Sequence, residues 1–72
     1  MIRRGYSYYQ IEWKDLPAEI VKSRSRRRVR NEAYAEEDHR HPVLSITLVS
    51  TKAVAEYLQL HDLPNSHLRW IQ

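Results

Sequence analysis

Between Val21 and Val29 the chain has no apolar side chain: the interval is Lys22, Ser23, Arg24, Ser25, Arg26, Arg27 and Arg28. A helix drawn across it has a middle with nothing to bury, held only by helix propensity and charge pairs. The chain has 72 residues, near the lower limit for a single hydrophobic core, so this gap governs how the flanking segments fold. One small domain over residues 1–72 is expected, carrying a basic segment at 22–30.

That segment also holds the charge. Lys22, Arg24, Arg26, Arg27, Arg28 and Arg30 are six of the twelve cationic side chains, leaving six cations against nine carboxylates elsewhere. The formal net charge of +3 therefore comes from one stretch of an otherwise slightly acidic chain. A concentrated guanidinium cluster is an electrostatic handle for phosphates or for an acidic protein surface, since arginine presents a fixed fork of donors matched to both.

There is no cysteine, which excludes disulfides, thiolate zinc sites and thiol redox chemistry. The longest apolar stretch, residues 43–49, is far too short to span a bilayer, and residues 1–10 lack an apolar signal core. A cytoplasmic protein with no membrane contact is the expectation. Phenylalanine is absent, and five Tyr and two Trp supply the aromatic area. Each has a polar tip suited to interfaces as well as to core edges.

Residues 5–13 read as a strand, with Tyr9, Ile11 and Trp13 on the core face and Tyr6, Tyr8, Gln10 and Glu12 on the other. Lys14 to Pro17 closes it. From Pro17 to about Asp38 the favoured reading is a helix with a break near Ser23 to Ser25. The alternative is a short helix at 17–23, an exposed arginine loop and an extended segment at 28–37. Pro42 ends the following turn, and residues 43–49 form the clearest strand, with Leu44, Ile46 and Leu48 as its core wall. Ser50 or Thr51 then caps a helix to about His61, with Ala53, Val54, Tyr57, Leu58 and His61 inward. Residues 66–72 make a last strand, with Leu68 and Trp70 inward, or a helical turn.

The expected fold is a small α+β domain, β-α-β-α followed by a short terminal strand or helical turn, with a roughly three-stranded sheet and its helices on one face. Its core would be Ile11, Trp13, Ile20, Leu44, Ile46, Leu48, Val54, Leu58, Leu68 and Trp70.

The arginine run can reach nucleic acid in two geometries. Extended, Lys22, Arg24, Arg26, Arg28 and Arg30 form a rail on one side; helical, the charges spread around a cylinder. The bland alternative is a solvated face neutralised by the acidic block Glu32, Glu36, Glu37 and Asp38, through exposed pairs worth roughly 0 to 1 kcal/mol each. Tyr6, Tyr8 and Tyr9 beside Arg3 and Arg4 add aromatic rings next to cations, a pattern suited to base stacking, though ordinary packing or a dimer interface fits tyrosines on a strand equally well. His39 and His41, and His61 with His67, lack the further ligands of a familiar metal site, so no metal or cofactor is expected. No nucleophile elbow or phosphate loop is present, and the single glycine is Gly5, which argues against an enzyme.

The stretch STKAVAEYLQLHDLPNSHLRWIQ resembles the helix-turn-helix of MerR-like and phage excisionase proteins, on Val54, Ala55, Tyr57, Leu58, Leu68, Trp70 and Ile71. The resemblance implies a groove-reading helix starting over residues 65–69. The segment from Leu58 to Leu68 is longer than that family's turn and lacks its glycine.

The functional expectation is a small nonenzymatic binding module or regulator that contacts DNA or RNA through Lys22, Arg24, Arg26, Arg27, Arg28 and Arg30, with Tyr6 and Tyr8 in support. The alternative is a protein-binding inhibitor or adaptor of phage or mobile-element type, acting on an acidic surface of a larger complex. Homodimerisation through the tyrosine strand or a spare sheet face is compatible with either.

Overall fold

Strand β1, Ser7–Trp13, alternates as its sequence requires, yet Tyr8 is buried along with Tyr9 and Ile11, so both of its faces are covered. The computed structural model, which describes residues 5–72, shows how. Strand β2, Glu19–Ser23, pairs antiparallel with β1, placing Tyr9 opposite Val21 and Ile11 opposite Glu19. Strand β3, Val43–Val49, pairs antiparallel with the other edge of β1, and the short strand β4, Arg69–Ile71, runs parallel to β2. The sheet has four strands in the order β3-β1-β2-β4.

Among the described residues two helices complete the fold: α1, Arg26–Glu36, and α2, Thr51–Leu60, with one 3-10 turn at Asn65–His67. Val29 and Ala33, one helical turn apart, seat α1 on the face formed by Tyr9, Ile11, Val21, Ile46 and Ile71. Val54 of α2 packs with Tyr8, Ile20 and Leu68, residues that belong to the other face. Among the described residues no helix is long and apolar enough to cross a membrane.

The expected α+β domain is therefore what the chain forms, with differences of detail. The helix expected from Pro17 begins only at Arg26, and residues 19–23 are a strand that raises the sheet from about three strands to four. The reason lies in Ile20 and Val21, adjacent β-branched residues buried in different clusters. A strand sends neighbours to opposite faces, whereas a helix would turn both toward one side. The turn that permits the hairpin holds Asp15 at φ 61, a left-handed conformation that Asp tolerates better than most residues. The extended segment considered for residues 28–37 is also replaced by α1.

The break expected near Ser23 to Ser25 is present as a helix start. Ser25 is extended, and its Oγ accepts a hydrogen bond from the Arg28 amide at 3.2 Å. Ser50 caps α2 in the same way, accepting from the Ala53 amide at 3.1 Å. At the far end of α2 the Asp62 amide donates to the Gln59 carbonyl and the Leu63 amide to the Leu58 carbonyl, with Asp62 at φ 54. This is a Schellman closure with Asp in the left-handed position.

Helices lie on both faces, not on one, because β1 and β2 bury apolar residues on both. Leu44 and Leu48, expected in the core, are 61% and 68% exposed. They belong to an edge strand, and the register slips between Glu12 and Trp13: Glu12 pairs with Ser45 and Trp13 with Val43, which leaves Leu44 unmatched. Trp70 is 37% exposed, since in β4 it is Arg69 and Ile71 that share a face and Ile71 that joins the cluster under α1. The second helix implied by the helix-turn-helix resemblance is absent. Residues 65–67 form one 3-10 turn behind Pro64, and residues 69–71 are drawn into the sheet by Ile71 beside Ser23.

Candidate nucleic-acid interface

The basic segment changes conformation twice within nine residues. Lys22 lies in β2, Arg24 in the bend after it, and Arg26, Arg27, Arg28 and Arg30 in α1. The extended rail is thus not formed, and the charges spread around a helix. At roughly 100° per residue from the buried line of Val29 and Ala33, Arg26 and Arg30 fall on one flank, Arg28 on the other, and Arg27 points outward. The first flank faces β3. The second faces β4, where Arg24 and Arg28 line a depression of about 260 Å³ together with Trp70 and Gln72.

All five arginines of the run are exposed, and three of them occupy the first turn of α1, which contains no acidic residue. A helix N-terminus already carries a partial positive charge from its unpaired amides. Placing cations there opposes the helix dipole, so the sequence gives up helix stability to concentrate positive potential at one end.

Three of the four carboxylates that could have neutralised the run are committed elsewhere, and Glu32, exposed one helical turn from Arg28, is the one that is not. Glu36 forms a two-pronged ion pair with Arg69, Nη1 to Oε2 at 2.6 Å and Nη2 to Oε1 at 2.9 Å. This pairing holds the Glu36 carboxyl below its ordinary range and raises the Arg69 guanidinium above its own. Glu37 accepts from the Val43 amide at 2.9 Å. Asp38 accepts from the amides of His41 and Arg40, which hold its carboxyl below the usual aspartate range. Among the described residues no ion pair involves Arg24, Arg26, Arg27, Arg28 or Arg30.

The tyrosines divide. Tyr8 is inside the cluster under α2, where its hydroxyl accepts from Asn65 Nδ2 at 3.4 Å, so its ring is closed to stacking. Tyr6 is half-buried and stands edge-on to both Tyr8 and Trp70, at centroid distances of 5.5 Å and 5.4 Å. The Lys22 ammonium lies 5.9 Å from the Tyr6 ring centre. Arg3 and Arg4, grouped with these tyrosines in the sequence, lie outside the described residues.

Register brings in a residue that sequence reasoning had assigned to the core. Trp70 pairs with Lys22, and Lys22 pairs with Tyr8, so one row across the sheet carries Tyr8, Lys22 and Trp70 on the same face. The signal was present in the alternation of residues 69–71, where placing Ile71 inward turns Trp70 to the other face. The histidines take no part. His41 Nδ1 lies 2.9 Å from the Lys14 carbonyl oxygen and ties two loops, and among the described residues no group of three His, Cys, Asp or Glu side chains could hold a metal.

No family model, curated protein or solved structure matches the chain.

Proposed function

We propose that the protein is a nonenzymatic, cytoplasmic nucleic-acid-binding module whose contact surface is the cationic start of α1 and the adjoining edge of the sheet. Lys22, Arg24, Arg27 and Arg28 meet phosphates, and Trp70, with Tyr6 behind it, offers an aromatic surface to a base. The observation that carries this reading is the commitment of Glu36, Glu37 and Asp38 to partners outside the run, which leaves the guanidinium groups available to a polyanion. Exposed guanidinium groups bind phosphate through counterion release, so affinity must depend steeply on salt.

The test is fluorescence anisotropy with labelled DNA and RNA oligonucleotides. With four cations engaged, affinity falls roughly 50- to 150-fold between about 50 mM and 200 mM salt. The triple variant Arg24→Ala, Arg27→Ala, Arg28→Ala should bind weakly and with a shallower salt slope. Equal binding by this variant would remove the surface from the reading.

Arg26 and Arg30 point away from this patch, toward β3. Homodimerisation through the tyrosine strand finds no support in this arrangement, since β1 is paired along both edges and Tyr8 and Tyr9 are buried.

A further inference from the structure

We propose that the free edge of β3 accepts an extended acidic segment of a partner protein as a fifth strand, with Arg26 and Arg30 receiving its carboxylates. This surface lies on the flank of α1 opposite Arg28 and does not depend on nucleic-acid binding.

The edge itself is unusual. Among the described residues β3 is terminal in the sheet order and seven residues long; its sequence VLSITLV has no charge and no proline, and its one irregularity, the register slip at Leu44, leaves residues 45–49 in regular pairing. Natural sheets blunt long edges with lysines, prolines, bulges or a covering element, because unpaired amides and carbonyls recruit other strands. Here the exposed side chains of the strand include Leu44 and Leu48, and Tyr34 on α1 is also exposed. Together with Arg26 and Arg30, Tyr34 faces residues 43–46 across a groove of about 310 Å³.

One contact bears on what the groove would receive. Arg26 Nη2 donates to the backbone carbonyl of Ile46 at 3.0 Å. A guanidinium thus stands in for a backbone donor on the edge strand. An arriving strand supplies an N–H in its place and frees the guanidinium for a carboxylate, a stronger, charge-assisted partner. Glu37, the carboxylate that already reaches β3, is held by the Val43 amide and does not neutralise the two arginines.

Charge also selects the occupant. A second copy pairing antiparallel about Ile46 would match Leu44 with the other copy's Leu48, which suits the apolar side chains. It would also bring both copies' Arg26 and Arg30 to the same seam, with no acidic residue in β3 to offset them. Like charges at an interface are strongly unfavourable. An acidic extended segment provides the same backbone bonds and removes the repulsion.

The probe is a short capped peptide alternating valine and glutamate, titrated into isotope-labelled protein and followed by backbone amide shifts. Shifts should concentrate in Val43–Val49 and at Arg26 and Arg30, and the double variant Arg26→Ala, Arg30→Ala should weaken binding at least about tenfold. A second variant, Leu44→Glu with Leu48→Glu, leaves α1 untouched, sets like charges against the acidic strand and should also lose the peptide; melting curves check that both variants stay folded. The lysine-for-glutamate peptide and a peptide methylated at its backbone nitrogens should not bind. The proposal is overturned if either control peptide binds as well as the first, if none binds, or if the protein alone associates through β3. It is equally overturned if a single-stranded oligonucleotide, and not the peptide, shifts the β3 amides.

Discussion

Arg69 reaches across the fold to Glu36, thirty-three positions earlier in the chain, and closes on both of its carboxylate oxygens. Its Nη2 also contacts Glu19 at 3.0 Å, so one guanidinium joins the start of β2, the end of α1 and the last strand. β4 has only three residues and pairs with a single neighbour, which makes this clamp a large share of what holds it.

Replacing Arg69 with lysine keeps the charge and removes the fork. All three side chains are about one-third exposed, so solvent screens the pair and the expected loss is modest, about 0.5–1 kcal/mol. Urea denaturation should show a lower midpoint with an unchanged slope. An unaltered midpoint would mean that β4 is held by Leu68 and Ile71 alone.

The same pair sets a pH dependence. Bonding to Arg69 lowers the Glu36 carboxyl below its ordinary value of 4.5. A carboxyl whose pKa is lower folded than unfolded binds fewer protons in the native state. Its contribution is therefore present above the unfolded value and is lost as pH falls through the folded one. Stability measured in urea should decline on acidification below about pH 4.5, the ordinary value, and decline less in Glu36→Gln. Asp38, lowered by the His41 and Arg40 amides, acts in the same direction in both proteins, so the difference between the two profiles isolates Glu36. Parallel profiles would contradict the assignment.

What could be read from the sequence was local. Ser50 caps a helix, and Ile11, Ile20, Ile46, Val54 and Leu68 are buried, because each position follows from short-range pattern. What was missed depends on long-range pairing. Residues 19–23 are strand because β1 supplies an edge for them, and Leu44 is exposed because of a register slip that neither strand reveals alone. The site shows the same limit. The run announced its charge, but its division into two flanks required the helix to start at Ser25. Trp70 joined Lys22 only through parallel pairing of segments nearly fifty residues apart.

Asp62 offers a test of the α2 terminus. Its φ of 54 lies in the left-handed region, which costs an L-residue roughly 1–2 kcal/mol and costs glycine nothing. Asp recovers part of that cost, and glycine loses more entropy on folding, so Asp62→Gly should gain about 0.5 kcal/mol. Thermal unfolding should show a small rise in midpoint. Asp62→Val, with a β-branched side chain in the same conformation, should lower it by more than glycine raises it.

Trp70 separates base stacking from simple charge attraction. If the aromatic surface takes a base, a single-stranded oligonucleotide should quench tryptophan emission, because stacking on a nucleobase deactivates the indole. The only other tryptophan, Trp13, is half-buried against the α1 cluster and serves as an internal reference. In Trp70→Phe, quenching should vanish while binding persists, since phenylalanine still offers a ring. In Trp70→Ala, affinity should fall roughly 5- to 160-fold, in line with a stacking contribution of about 1–3 kcal/mol per base. The salt slope should stay close to that of the parent protein, because no phosphate contact is lost. Loss of affinity with a flattened slope would instead mean that removing the indole, which stands 5.4 Å from the Tyr6 ring, had displaced the neighbouring cations. Circular dichroism on the variant distinguishes that case, and duplex DNA, whose bases are already stacked, should bind without quenching Trp70.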